Sequence, residues 1–155
     1  MSLFLSTYVN KVDKKGRVSV PSLFRAALET QKFQGIVVFR SYKHPALEAF
    51  GLDRMAQLSQ SLDKNFNLFS DTQDDLAASI FADAQQLGFD GEGRITLPDD
   101  IAAHAGITES ACFVGRGATF QIWAPDTFKQ HQTAARARVQ QGNVSIALHA
   151  SEVGQ

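Results

Sequence analysis

The sequence predicts an α+β fold built from two tandem, pseudo-symmetric copies of one small module that together form one compact unit. A nine-residue segment recurs 77 positions later, short β-branched runs typical of strands follow each copy, and segments with helical spacing separate those runs. The length of 155 residues suits one ordinary domain or two small ones, and 44% hydrophobic residues are enough for a core. With only 20% charged residues, the composition excludes a disordered chain.

The repeated segment is a glycine-containing turn that runs into a proline. DKKGRVSVP at 13–21 recurs as DGEGRITLP at 90–98, so Asp, Gly, Arg and Pro are identical and the three residues between Arg and Pro change conservatively. We therefore expect two equivalent modules joined by a linker. The predicted boundaries are 5–62 for the first module, 63–81 for a linker and the start of a helix, 82–139 for the second module, and 140–155 for a tail.

The first copy predicts a β-hairpin followed by alternating helices and strands. Weak alternation in 5–12 and β-branched residues in 17–21 indicate the two hairpin strands, because the intervening Gly16 can take a positive φ. Proline suits the first turn of a helix, so a short helix is expected to follow Pro21. The elements predicted after the hairpin are a helix over 22–28, strands over 35–40 and 47–50, and a helix over 52–62.

The second copy predicts the same order of elements after its own hairpin. These are a helix over 98–105, strands over 111–115 and 119–123, and a helix over 125–139. Between the copies, Leu76, Ile80, Ala84 and Leu87 have the spacing of one helix face, which predicts a helix over 74–87. The tail from residue 142 has no clear pattern.

Charge is distributed unevenly along the chain, although the net charge is only −1 and the pI is about 6.4. Residues 1–45 hold eight Lys or Arg against two Asp or Glu, residues 46–110 hold three against twelve, and residues 111–155 hold four against two. Local potential decides whether a surface attracts phosphate. The basic first third is therefore compatible with nucleic-acid binding.

Several other classes of function are disfavoured by the residues. No apolar run is long enough for a membrane span, the amino terminus does not resemble a signal peptide, and one cysteine excludes an internal disulfide. The four histidines lack metal-ligand spacing, and no nucleophile–base pair supports an enzyme. Cys112 is expected in the core, Phe50 and Trp123 are expected as core or interface aromatics, and Asp99-Asp100 are expected at a helix start. We expect a cytoplasmic protein without cofactor or metal.

The twice-occurring Asp-x-x-Gly-Arg-apolar-x-apolar-Pro hairpin, with the amino-terminal FLSTY at 4–8, resembles the MraZ family. The resemblance covers residue 5 to about residue 139 and implies two modules of the SpoVT/AbrB, swapped-hairpin type. It implies a DNA-binding transcriptional repressor of the division and cell-wall gene cluster, including its own promoter. It also implies association with the nucleoid, assembly into a closed homo-oligomeric ring, and DNA contact through the Asp-x-x-x-Arg signature: Asp13 and Arg17, then Asp90 and Arg94.

The residues of the signature have a chemistry suited to that role. An Asp four positions before an Arg across a turn can accept turn N–H groups and brace the guanidinium, which can then bind phosphate oxygens or guanine O6 and N7. Lys11, Lys14 and Lys15 add charges suited to backbone contacts on double-stranded DNA. The alternative is that Asp and Gly only make the turn, while Arg forms a surface salt bridge.

The two hairpins differ in charge, so we expect the first to contribute more to DNA binding. The first carries four basic residues against one acid, whereas the second carries Arg94 against Asp90 and Glu92. Binding to promoter direct repeats by an oligomer would multiply these contacts. The alternative functions are a ring scaffold that does not bind DNA, and an antitoxin-like regulator of the same fold.

Overall fold

The computed structural model describes residues 3–65, 67, 69–142 and 146. The chain forms two compact units divided after Pro125, not the single compact unit expected from the sequence. The first unit is a mixed α+β arrangement with antiparallel sheets. Its strands are β1 (Thr7–Lys11), β2 (Arg17–Ser19), β3 (Gly35–Arg40), β4 (Ala46–Phe50), β5 (Gln85–Gly88), β6 (Arg94–Thr96), β7 (Ser110–Gly115) and β8 (Phe120–Trp123). Its helices are α1 (Ser22–Ala27), α2 (Leu52–Asn65), α3 (Asp71–Ile80) and α4 (Asp99–His104).

The strands form a six-stranded sheet in the order β1-β7-β8-β4-β3-β5 and a two-stranded ribbon, β2-β6. Strands from the two sequence repeats are exchanged between partners, because β1 pairs with β7 and β5 pairs with β3. The ribbon likewise pairs one strand from each repeat. The repeated segments therefore interlock within the first unit.

The predicted hairpin between the strand over 5–12 and the strand over 17–21 forms only at its closed end. An isolated bridge joins Val12 to Val18, whereas the rest of β1 pairs with β7 through five antiparallel pairs. Strand β2 pairs with β6 instead. Pairing with β7 also places Tyr8 opposite Phe113 and brings its ring to 5.6 Å from that of Phe24.

The main core lies between one face of the large sheet and a layer made of the ribbon, α1 and α4. The ribbon contributes Val18 and Ile95, each only 1% exposed, and the helices contribute Phe24 and Ile101. The Phe24 ring lies 4.9 Å from that of Phe120 on β8. Because alternate ribbon residues are buried in this core, the ribbon presents its other residues to solvent.

A second apolar cluster covers the other face of the sheet. Phe39 and Phe50 on β3 and β4 pack with Ile80 of α3, and partly buried residues of α2 and α3 complete the cluster. The predicted core position of Cys112 is confirmed at 2% exposure. Of the two positions expected for Phe50 and Trp123, both residues take the core position, at 4% and 1% exposure.

The helix predicted over 74–87 is wrong in its second half. Helix α3 ends at Ile80, and Gln85–Gly88 forms β5 against β3. The apolar residues that share a helical spacing belong to two different clusters, because Leu76 and Ala84 pack against the second cluster whereas Leu87 packs against the main core. The strands of the second predicted hairpin, β5 and β6, pair with β3 and β2 and not with each other. The bounds of the other helices and strands agree with the predicted elements within a few residues.

Helix α5 (Pro125–Gly142) begins at its proline as predicted, and all of it after Pro125 belongs to the second unit. Within the helix the Phe128 and His131 rings lie 6.4 Å apart. Except for 140–142 and residue 146, the predicted tail over 140–155 lies outside the described residues. No helix in the described part of the chain is both long and apolar enough to cross a membrane.

Candidate nucleic-acid interface

The candidate interface is the outer face of the β2-β6 ribbon together with the turn at each of its ends. In the antiparallel register Arg17 is opposite Thr96 and Ser19 is opposite Arg94, with Val18 and Ile95 between them. Since Val18 and Ile95 point into the core, the two arginines and two hydroxyl residues share the outer face. Arg17 and Arg94 are diagonal neighbours, which places their Cα atoms roughly 7–8 Å apart.

The first turn, residues 13–17, is organised around the Asp13 carboxylate. One oxygen accepts the backbone N–H groups of Lys15 and Arg17, each at 2.9 Å. The other oxygen accepts the Arg17 Nε at 2.7 Å. The turn closes through the Gly16 N–H, which donates to the Asp13 carbonyl at 3.0 Å, and Gly16 has a φ of +82°.

The second turn, residues 90–94, has the same arrangement around Asp90. One carboxylate oxygen accepts the backbone N–H groups of Glu92 and Arg94 at 2.8 and 3.0 Å. The other accepts the Arg94 Nε at 2.8 Å, and Gly93 has a φ of +77°. Two segments 77 residues apart thus fold into matching turns.

The two turns are tied to each other across the ribbon. The Leu97 N–H donates to the Gly16 carbonyl at 2.8 Å, and the Val20 N–H donates to the Gly93 carbonyl at 3.1 Å. Each turn is therefore held by the strand that belongs to the other turn. This fixes the position of one guanidinium relative to the other.

The turns also keep both aspartates charged. The backbone N–H of Arg17 is the largest cause that lowers the pKa of Asp13, and that of Arg94 does the same for Asp90. The pKa of Arg94 is raised, first by its hydrogen bond to Asp90 and to a smaller degree by the charge of Asp13. Glu92 adds to this effect, since one of its carboxylate oxygens lies 3.8 Å from the Arg94 Nε.

Each braced guanidinium keeps donors available for a ligand. Only the Nε of Arg17 and of Arg94 hydrogen-bonds to another described residue, so their terminal nitrogens donate to none of these. The side chain of Arg17 is 35% exposed and that of Arg94 is 26% exposed. A planar guanidinium fixed at Nε with two free amino groups can bind two acceptor atoms at once.

The predicted lysines lie at or beside the first turn. Lys14 and Lys15 occupy the exposed positions between Asp13 and Gly16, and Lys11 is the exposed last residue of β1. The structure thus brings Asp13, Arg17, Asp90 and Arg94 together on one ribbon. The three lysines lie at the end of the ribbon that carries the first turn.

Comparison with known proteins gives a consistent set of relatives. The family model described as "MraZ protein, putative antitoxin-like" matches residues 80–143. A protein of Rickettsia akari named transcriptional regulator MraZ is 43% identical over 136 residues, covering 88% of this chain and 91% of the relative. A protein of the same name from Gluconacetobacter diazotrophicus is 46% identical over 144 residues, covering 91% and 90%. This chain belongs to the MraZ family.

One basic residue beside the candidate interface was not predicted from the sequence. Arg25 of α1 donates its Nε to the Val20 carbonyl at 3.1 Å, and its guanidinium lies against the second turn. A Cβ placed on Gly93 would be 2.6 Å from the Arg25 Cζ. No local motif marks Arg25, because its neighbour Gly93 is 68 positions away in the sequence.

Among the described residues, no group of three or more His, Cys, Asp or Glu side chains is placed to hold a metal ion. Burial raises the pKa of Cys112 to about 11, which makes its thiol a poor nucleophile at neutral pH. Asp99 and Asp100 lie in the first turn of α4, as expected for helix-start acids.

Proposed function

We propose that this chain is a sequence-specific, DNA-binding transcriptional regulator that acts in the cytoplasm on the nucleoid. The names of the relatives support regulation of transcription. We propose more specifically that the chain represses the division and cell-wall gene cluster, including its own promoter. Its chemistry is binding without catalysis.

The observation that carries this proposal is the pairing of two braced arginines on one ribbon. Arg17 and Arg94 project from a rigid two-stranded surface, each with its Nε on an aspartate and its terminal nitrogens uncommitted. A two-stranded ribbon fits the major groove of B-DNA, where an arginine can bind guanine O6 and N7 together. Exposed Lys14 and Lys15 suit phosphate contacts beside it.

We further propose that the chain comprises two SpoVT/AbrB-like modules of the swapped-hairpin type. The ranges are 5–62 and 82–139, joined by 63–81 and followed by the tail 140–155. The exchange of β1 and β5 between the repeats supports this organisation, as do the matching turns at Asp13 and Asp90.

We also propose that the chain assembles into a closed homo-oligomeric ring, which binds direct repeats in the promoter. One ribbon offers only a few basic groups, and non-specific binding at physiological salt is typically about 10⁻⁴–10⁻⁶ M. Several equal ribbons on one assembly raise avidity by roughly 10²–10⁴ without new contacts.

A mobility-shift experiment tests the function directly. The full chain is titrated into the duplex directly upstream of its own gene, and into a duplex of the same length and base composition with shuffled sequence. We expect a shift with the first duplex at concentrations that leave the second unbound. A folded protein that shifts neither duplex, or both equally, contradicts sequence-specific DNA binding and favours a scaffold.

A further inference from the structure

A groove lies beside the second turn, on the side of α1. Its volume is about 480 Å³, and its walls include Ser22, Arg25 and Glu29 from α1 and the segment following it, and Phe89, Asp90 and Gly93 from the second turn and the residue before it. The groove is therefore continuous with the turn that positions Arg94. Among its lining residues Arg25 is the only cation.

Arg25 is held in place at one end and has free donors at the other. Its Nε donates to the Val20 carbonyl, and its guanidinium lies where a Cβ of residue 93 would have to be. Gly93 is buried beneath it. The terminal nitrogens of Arg25 form no hydrogen bond or ion pair within the described part of the chain, although Glu29 and Asp90 line the same groove.

The two turns differ in where extra positive charge can come from. The first turn carries Lys14-Lys15, whereas the second has Gly91-Glu92 at the matching positions. Conversely, the position 77 residues after Arg25 is Ala102, so α4 brings no arginine to the first turn. Each turn thus has a braced arginine of its own and a source of positive charge that the other lacks.

We propose that Arg25 binds a DNA backbone phosphate for the second turn, in the role that Lys14 and Lys15 have at the first turn. This rests on the proposed DNA-binding function. A guanidinium fixed at its Nε presents its terminal nitrogens with little further loss of freedom, which suits a phosphate contact. Asp90 is engaged by Arg94, so Glu29 is the carboxylate of the groove that would oppose the phosphate.

The salt dependence of binding to the upstream duplex separates a phosphate contact from a structural role. Removing one phosphate contact makes the slope of log K against log salt shallower by about 0.9. We expect Arg25→Gln to bind more weakly than wild type, with a deficit that shrinks by about 3.5-fold when salt is raised fourfold. Arg25→Lys keeps the charge and should retain the wild-type slope.

Two further variants control for effects on the fold and for general charge. Glu29→Gln leaves Arg25 in place and removes the opposing charge, so it should tighten binding at low salt. Arg54→Ala removes an arginine of α2 that bonds only Gln57 among the described residues, and it should leave the slope unchanged. Thermal melting of all variants identifies any loss of folded protein.

The salt slopes of these variants distinguish a phosphate contact by Arg25 from a structural role and from a general effect of charge. An Arg25→Gln variant that binds with the wild-type slope, or with a deficit independent of salt, overturns the phosphate contact. Slopes that become equally shallow in Arg25→Gln and Arg54→Ala overturn it as well, because charge anywhere on the chain would then suffice. If wild type itself fails to bind the upstream duplex, the proposed function fails and this inference fails with it.

Discussion

Glycine at position 93 meets two separate requirements of the second turn. Its φ of +77° lies in the left-handed region, and a Cβ there would collide with the Arg25 guanidinium at 2.6–2.7 Å. Gly91, two positions earlier in the same turn, lies outside that region and has open space around its Cα. Comparing alanine substitutions at Gly93 and Gly91 therefore separates the conformational requirement at Gly93 from the general effect of adding a methyl group to the turn.

Gly93→Ala should lower the free energy of unfolding, whereas Gly91→Ala should leave it nearly unchanged. A non-glycine residue in the left-handed region costs roughly 1–2 kcal/mol, and displacement of Arg25 adds to this. Urea unfolding of both variants and wild type gives the comparison. Equal stability of the two variants would contradict the left-handed conformation assigned to Gly93.

The aspartates of the two turns predict a specific loss of stability in acid. Both pKa values are lowered from 3.8 in the folded protein, so the carboxylates stabilise the fold above that pH. The stabilisation is lost as pH falls below 3.8 through the folded-state values. Asp13→Asn/Asp90→Asn should therefore be less stable than wild type at neutral pH, with a difference that narrows in acid.

Unfolding by urea from neutral pH to below 3.8 measures that difference. Asp63→Asn, a change on the exposed side of α2, is the matched control because it removes one carboxylate outside the turns. A gap between wild type and the double variant that widens in acid would contradict the assigned role of the two carboxylates.

The buried side chains of β2 and β6 pack in the main core and so attach the ribbon to the rest of the first unit. Val18 and Ile95 are each 1% exposed in the main core, so a core contact supports the face that presents Arg17 and Arg94. Ile95→Ala should lower the free energy of unfolding by about 2–5 kcal/mol. Ser19→Ala, on the exposed side of the same ribbon, should change it by less than about 0.5 kcal/mol. Similar effects of the two changes in denaturant unfolding would contradict the assigned sides.

The strand β5 explains why one helix was predicted too long. Leu76, Ile80, Ala84 and Leu87 fit one helix face, yet Leu87 belongs to a strand that alternates half-buried and exposed residues. The 77-residue repeat predicts this strand better than the helical spacing does. Shifting the range of β1 by 77 residues gives 84–88, which is almost the range of β5. Helical spacing over four residues is a weaker indication than a repeated segment of known conformation.

Partners of strands were harder to predict than the strands themselves. Alternation placed β1 correctly, but it contains no information on whether β1 pairs with its neighbour in sequence or with β7. The braced Asp–Arg turns were predictable, since every group in each turn lies within five residues. Arg25 was not, because its contact with Gly93 depends on the tertiary fold.

The uneven distribution of charge along the sequence does not carry over to the folded chain, because both turns lie on one ribbon. The sequence separates a basic first third from an acidic middle, but Arg94 from the acidic block lies diagonally beside Arg17. The local potential at the interface therefore depends on both repeats. The greater contribution expected of the first turn rests on Lys14 and Lys15, which remain exposed.

Assembly predicts a dependence on the number of DNA repeats. If several ribbons of one homo-oligomer bind adjacent sites, a duplex with several direct repeats should bind roughly 10²–10⁴ times more tightly than one with a single repeat. Light scattering gives the oligomeric state under the same conditions. A monomer that binds single and multiple repeats equally would contradict the ring.

Binding of the upstream duplex by Arg17→Ala and Arg94→Ala across a range of salt tests the ribbon most directly. Both variants should stay folded, and both should bind more weakly than wild type. The loss is about 1–3 kcal/mol for an arginine that contacts a base, and the salt slope becomes shallower by about one for an arginine that contacts a phosphate. The larger loss is expected at Arg17. Folded variants that both bind as tightly as wild type, with the same salt slope, would contradict DNA recognition by the ribbon.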